Sequence, residues 1–394
     1  MSSSAPTDFP AVPEFKGVKG WEFTDISRLD VDSYAVATTA GSGAPDPLWA
    51  EVEPVARMLQ VDSAAAVLEG ELPDGVVVGA LETAEHTAIG AHLGRVVTRE
   101  DAFTARNRAL YRGGAFVYVP KDVKVDGPIL LSAVQSVAGS AMHWRVLVVL
   151  EEGAEAEIWE EYLSDDEGLF TTVVELVVGA NAKLRFVSGQ ALSEKGWLFG
   201  SQRAVVERDG SLDWVALGFG GARGKVFMET KLAGAGAHAK VTGAYASHGR
   251  QHLDFDTLQE HAAPDTTSDL AFRGVLQGRA SSVWRGMIKV DPGAQKTDAF
   301  QESRNLLLSD KAHADAIPGL EILANDVRCT HAAAIAQVDP EQIFYLRSRG
   351  LPTPTAQRLV IEGFLEALVE RFEEGPVRQV LADALERRLQ TVLG

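Results

Sequence analysis

The chain has 394 residues, 46% of them hydrophobic and 23% charged, with a formal net charge of −18. That length exceeds what one hydrophobic core usually serves, so the chain must split into domains or build a quasi-one-dimensional stack. No apolar run approaches the roughly 18 residues of a membrane span, and the acidic balance, without a Lys/Arg cluster, opposes nucleic-acid backbones. A soluble protein with neither membrane nor nucleic acid as partner is expected.

Met1 to Pro13 is rich in Ser, Pro and Ala and lacks the basic head and apolar stretch of a secretory signal. Residues 1–20 are expected to form a disordered tail. Between residues 21 and 110 the pattern is mixed: Asp62-Ser63 leads into an Ala-rich stretch with helical character, and Leu72 to Leu81 reads as a strand after Pro73-Asp74-Gly75. A small α/β domain is expected there.

From 111 to 345 short runs of β-branched and aromatic residues recur between turns. Small turn elements precede alternating segments at Gly153-Ala154, Gly179-Ala180, Gly210-Ser211 and Gly236-Ala237, with spacings of 26, 31 and 26 residues. Gly278, Lys311-Ala312 and Val327 continue a looser rhythm whose last step is 16 residues. Such self-similarity points to the stacked coils of a mainly β solenoid. A β-sandwich would instead place hairpin turns roughly every 8–12 residues. Within Lys183-Leu184-Arg185-Phe186-Val187, Leu184 and Phe186 share one face and the basic residues the other.

Residues 346–394 read as a helical end. Thr355 offers an N-cap oxygen after Pro352 and Pro354, and Leu359, Val360, Phe364, Leu365, Leu368 and Phe372 recur at helical spacing. Gly375-Pro376 then separates this helix from a second, striped by Val377, Val380, Leu381, Leu385 and Leu389. Two roles compete for the pair: capping the solenoid end or docking a partner.

The chemistry-bearing candidates are few. Gly220 to Lys225 is not a phosphate loop, because Phe219 replaces the first glycine and Val226 the metal-binding hydroxyl. Gly234-Ala-Gly236-Ala-His238-Ala239 leads into a strand rather than the helix a dinucleotide site requires. His252, Asp254 and His261 form a possible metal set, against the alternative that they hydrogen-bond between coils. No Gly-x-Ser-x-Gly elbow occurs. In the stretch Asp326 to His331, a strand would put Val327, Cys329 and His331 on one face, so a soft sulfur would neighbour a borderline nitrogen, a pairing suited to iron. Cys329 is the single cysteine: it excludes an intramolecular disulfide, suits a reducing cytoplasm, and leaves the chain short of the several thiolates a cluster usually takes.

Several motifs carry a resemblance. Gln301-Glu-Ser-Arg304-Asn-Leu-Leu-Leu-Ser309, Pro318-Gly-Leu-Glu321-Ile, Asp326-Val-Arg-Cys329-Thr-His331 and Phe344-Tyr345-Leu-Arg-Ser-Arg349-Gly350 resemble, in order, signatures of the SufD branch of the SufB/SufD family of iron-sulfur cluster assembly proteins. Weaker likenesses at Trp21 to Asp25, Gly113 to Lys121 and His252 to His261 extend it over nearly the whole chain. The family pattern Cys-Ser-His-Gly-Ala-Thr is altered here, with Thr330, Ala332 and Ala334 at three of its positions, and the lost glycine bears on backbone geometry.

The resemblance implies a right-handed parallel β-helix with N-terminal α/β and C-terminal helical elements. It implies a non-catalytic subunit in complex with SufB and the ABC-type ATPase SufC, or paired with a second copy of itself. His331 would sit at the cluster-forming interface, with Cys329 beside it, and no cofactor would be held stably by this chain alone; a transient iron-sulfur cluster would be shared with SufB. The helices from Thr355 onward, with Leu359, Phe364, Leu365 and Leu368, would dock SufC. Two rivals stand: a SufB-like scaffold accepting sulfur directly, and a carbohydrate-acting β-helix enzyme using carboxylates.

Overall fold

The computed structural model describes residues 9–14, 17–41 and 45–393. The N-terminal part contains β1 (Ala35–Val36), β2 (Ala56–Val61), β3 (Val67–Gly70), β4 (Val77–Ala80), α1 (Thr87–His92) and α2 (Ala102–Leu110). The strands β5 (Ala115–Val119), β6 (Lys124–Gln135), β7 (Ser140–Leu150), β8 (Glu155–Ser164), β9 (Gly168–Val178), β10 (Lys183–Ala191), β11 (Trp197–Val206) and β12 (Ser211–Gly218) follow. Then come β13 (Arg223–Leu232), β14 (His238–Ser247), β15 (His252–His261), β16 (Thr267–Leu276), β17 (Ser281–Val290), β18 (Asp298–Leu307), β19 (His313–Ile322) and β20 (Arg328–Gln337). The chain ends in α3 (Pro340–Ser348), α4 (Thr353–Val369) and α5 (Pro376–Leu393).

Successive strands alternate between two sheets. The first runs β19-β17-β15-β13-β11-β9-β7-β5-β4 and the second β20-β18-β16-β14-β12-β10-β8-β6-β2-β3. From β5 to β20 all pairings are parallel, which makes a parallel β-solenoid of about eight turns. Because each coil advances one strand per sheet, inward residues stack on their equivalents. Leu184 lies on Ala156 below and Leu212 above, and Phe186 lies between Ile158 and Trp214. These columns form a continuous apolar lumen.

One corner of the coil explains the repeat. Asp122, Gly153, Asn181, Asp209, Gly236, Asp265 and Lys296 each have a positive φ and each stand two positions before a strand of the second sheet. Asn, Asp and Gly adopt this left-handed conformation at the least cost. Their amides climb the corner as a ladder: Asn181 N donates to Arg208 O, Asp209 N to Ala235 O and Gly236 N to Pro264 O. The spacing read from Gly153 to Gly236 follows this corner, whereas Gly278 and Lys311-Ala312 precede strands of the first sheet. The 16-residue step is therefore half a coil.

Four further expectations are corrected. The Ala-rich stretch after Asp62-Ser63 is a turn followed by β3, because β2 joins the second sheet and leaves an edge that β3 covers. α4 begins at Thr353, with Pro354 in its first turn, so Thr355 lies inside the helix rather than capping it. The stretch Pro340–Ser348, within the segment of strand character, is the helix α3, capped by Asp339, whose carboxylate accepts from Glu341 N at 2.9 Å. Finally, α4 and α5 do not cap the solenoid; they lie on the outer face of the second sheet, against β14 and β16. The apolar stripe of Ile361, Leu365, Leu368, Leu381 and Leu385 meets Val187, Val215, Ala244 and Ala271 there. Arg388 Nε and Arg273 Nη1 tie the pair down by donating to Ala246 O and Phe364 O.

The N-terminal part wraps the sheets, and buried carboxylates receive its otherwise orphaned donors. Glu161 accepts from Leu48 N at 2.8 Å and from Ser132 Oγ. Glu175 accepts from Gly94, Val96 and Val97 N and pairs with Arg145 at 2.9 Å. A buried charge is tolerable when paired and hydrogen-bonded this fully. Of the expected tail, residues 1–8, 15 and 16 lie outside the described residues.

Candidate functional site

At the C-terminal end the solenoid stops without a cap: β19 and β20 are the last strands of their sheets among the described residues. Leu323 N donates to Val290 O, and Arg328 N to Thr297 O. Backbone groups alternate sides along a strand, so the amides of Cys329, His331, Ala333, Ile335 and Gln337 face the free edge of β20. On β19 the free edge belongs to the even positions, one of which is Pro318. A proline there removes a donor and blunts that edge against strand addition; β20 contains no proline.

The same residues that present backbone to the edge point into the lumen. Cys329 stacks on Ala299 and His331 on Gln301; from β19, Leu320 stacks on Ile288 and Ile322 on Val290. With no coil above them, Leu320, Ile322 and Ile335 are left exposed, Ile335 by 45%. The mouth of the lumen is thus an apolar surface between two unpaired strand edges, unusual for an isolated soluble domain.

Cys329 and His331 share this mouth, about 7 Å apart along the strand. Cys329 is half-buried, packed with Val327 against Ile288, Val290 and Ala299. Burial and then the Asp298 carboxylate push its thiol up, so the thiolate that would bind metal is disfavoured in this chain alone. His331 is exposed. Ala332 pairs in register with Glu302 and has no positive φ, so β20 tolerates the loss of the family glycine without strain.

The structure separates the other metal candidates. Nine strand positions put His252 and His261 about 30 Å apart and on opposite faces. His252 contacts Ser281 Oγ at 2.8 Å and Thr24 Oγ1 at 3.3 Å, while Asp254 accepts from Lys225 Nζ at 2.7 Å and from Thr24 Oγ1. Both rings are neutralised by burial, each pushed down to about 4; His261 lies in the lumen between Thr266 Oγ1 and Ser268 Oγ. Among the described residues no group of three or more His, Cys, Asp or Glu could hold a metal ion. Through these hydrogen bonds His252 and Asp254 fasten neighbouring coils and the strap Trp21 to Asp25, and His261 is held between Thr266 and Ser268.

In the helical pair, Leu365 and Leu368, two of the four residues expected to dock SufC, are buried against the sheet. Leu359 is 45% exposed and, with Leu365 at the floor, lines a cleft of about 1130 Å³ between α4 and α5. Phe364 is half-buried, covered by the Arg273 guanidinium at 5.1 Å. Reading by composition missed Gln301, Pro318 and the exposed Leu320 and Ile322 as parts of the site; their alternation was legible, but the absence of a further coil was not.

Fold and site together define an uncapped parallel β-solenoid that presents a thiol and an imidazole at its open end. The SUF system FeS cluster assembly, SufBD core domain model matches residues 133–364, and the SufBD protein N-terminal region model matches residues 62–131. The chain belongs to the SufBD family of iron-sulfur cluster assembly proteins, as a SufD homologue. It is 32% identical to the iron-sulfur cluster assembly protein SufD of Bacillus subtilis, over 96% of this chain and 90% of that one. SufBD family proteins of Mycobacterium leprae and Mycobacterium tuberculosis are 28% and 31% identical, over 92% and 74% of this chain and 93% and 75% of theirs. Among the described residues no helix is long and apolar enough to cross a membrane.

Proposed function

We propose that this chain is a non-catalytic cytoplasmic scaffold subunit of the Suf assembly complex. Its open solenoid end pairs with SufB, its C-terminal helices dock the ATPase SufC, and an iron-sulfur cluster is assembled as cargo across the shared edge. His331 is this chain's ligand, and Cys329 its neighbour. The observation that carries the reading is the uncapped end: an apolar mouth with His331 exposed inside it and an unpaired strand edge beside it.

Ligand count supports a partner, because one disfavoured thiol and one imidazole leave most positions of a cluster unfilled. The region Gly220 to Lys225 runs from a loop into β13 rather than from a phosphate loop into a helix, which supports leaving ATP to another subunit. The cleft beside Leu359 is the surface offered to that ATPase. Its ATP-driven movement would shift the two paired solenoids and open the shared edge.

Co-expression with SufB and SufC partners tests this, comparing the native chain with His331→Ala and Cys329→Ala for complex recovery and anaerobically bound iron. Loss of iron in His331→Ala with the complex retained is expected. Failure of any ATPase to co-purify, together with unchanged iron in both variants, would overturn the reading.

A further inference from the structure

Gln301 lies one rung below His331, in register with it, and projects into the same lumen. It is fully buried. Its Nε2 donates to Gly286 O at 3.2 Å and to Gly319 O at 3.1 Å. Those carbonyls belong to β17 and β19, successive strands of the opposite sheet, so one amide crosses the lumen and ties the second sheet to the edge strand of the first. The orientation of the amide is set chemically: both partners are carbonyl oxygens, so only the NH₂ end can face them. Room for it depends on a missing side chain, since a Cβ on Gly286 would stand 2.6 Å from Gln301 Oε1 and 2.2 Å from the Trp284 ring.

The opposite atom, Oε1, is buried without a hydrogen-bond partner among the described residues. Stability alone would favour an apolar side chain of the same volume over a half-satisfied amide. What the amide supplies, and an apolar residue cannot, is a fixed distance. Among the described residues β19 has no strand on its outer side, and Gln301 holds it to the sheet that carries Cys329 and His331 at the rung where the lumen opens.

We propose that Gln301 is a positioning residue for His331: by clamping the two lips of the lumen mouth it sets where the imidazole stands relative to β19 before a partner or cluster arrives. This rests on the reading of His331 as a cluster ligand, and it adds a residue that itself touches no metal. The clamp predicts that a volume-conserving loss of the amide leaves the solenoid folded but lets its last rung move.

The test compares the native chain with Gln301→Met, which keeps volume and loses the donor, and Gln301→Glu, which when protonated keeps one donor. Hydrogen exchange on the chain alone should run about tenfold faster over residues 313–323 in Gln301→Met, with β13 amides unchanged and the Glu variant intermediate. The His331 ring resonances in a ¹H–¹⁵N spectrum should shift in the same order, while those of His143, buried on the distant strand β7, should not. In complexes with SufB and SufC, bound iron should fall about threefold or more in Gln301→Met. Unchanged exchange at 313–323 and unmoved His331 resonances would overturn the proposal. So would native iron loading in Gln301→Met alongside a loss in His331→Ala, which leaves the cluster-ligand reading standing. Iron loading untouched by His331→Ala, with the His331 resonances still shifted by Gln301→Met, would remove the ligand reading and keep only the clamp.

Discussion

Lys225 and Asp254 form an ion pair of 2.7 Å with both side chains buried, and the strap residue Thr24 donates to the same carboxylate oxygen. The ammonium also lies 4.7 Å from the centre of the Phe227 ring, beneath Trp21. Removing one partner leaves an uncompensated charge in the interior, so Asp254→Ala should lower unfolding stability by about 3–5 kcal/mol. The double change Lys225→Met with Asp254→Leu should cost less than half of that. Urea denaturation of the three chains reads both values, and equal losses in single and double variants would refute the pairing argument.

Three buried histidines make the fold acid-sensitive. His143, His252 and His261 are each pushed down from 6.5 to about 4, in every case by burial first. A depressed base contributes stability that is present above its unfolded value and lost as pH falls through the folded one. Stability should therefore drop between pH 6.5 and 4, by on the order of 3 kcal/mol per histidine at full extent. His261→Gln, which retains hydrogen-bonding capacity toward Thr266 and Ser268, should flatten the slope in unfolding curves taken across that range.

Glu160 works in the opposite sense. Burial pushes its carboxyl up to about 7, against the hydrogen bonds donated by Tyr162 Oη at 2.7 Å and Trp144 Nε1 at 2.8 Å. A raised acid contributes stability that is present below its ordinary 4.5 and lost as pH rises through 7. Glu160→Gln should thus match the native chain near pH 4.5 and exceed it at pH 8, by on the order of 3 kcal/mol. Parallel unfolding measurements at those two pH values check the crossover.

On the proposed pairing with SufB and SufC, exposure and burial separate the residues offered to partners from those that hold the fold. Ile335→Glu and Leu359→Glu alter exposed positions and should change stability by no more than about 0.5 kcal/mol. The first should abolish recovery of SufB and the second that of SufC, in pull-downs from co-expressing cells. Leu368→Ala empties a buried site and should cost about 2–5 kcal/mol whatever it does to binding.

Pro318 guards the free edge of β19. Pro318→Ala restores an amide donor at that edge, and the isolated chain should then self-associate more strongly at equal concentration, as read by light scattering. An unchanged association state would show that Pro318 does not limit edge pairing.

Much of this was legible in one dimension. Period-two runs such as Leu184 and Phe186 announce strands because side chains alternate across a sheet whatever the fold. The left-handed Asp, Asn and Gly residues before β6, β8, β10, β12, β14 and β16 announce the coil because few other residues adopt that backbone cheaply. The adjacency of Cys329 and His331 follows from the same alternation. Sequence could not free Leu359 while burying Leu368, since an amphipathic stripe does not say which surface will cover it. Nor could it show that β20 is the last strand of its sheet among the described residues, or that Gln301 reaches across to Gly286 and Gly319. Local chemistry dictated the coil, because its causes lie within a few residues. The open end and the burial of each polar group depend on residues far apart in the chain, which only the stacked sheets bring together.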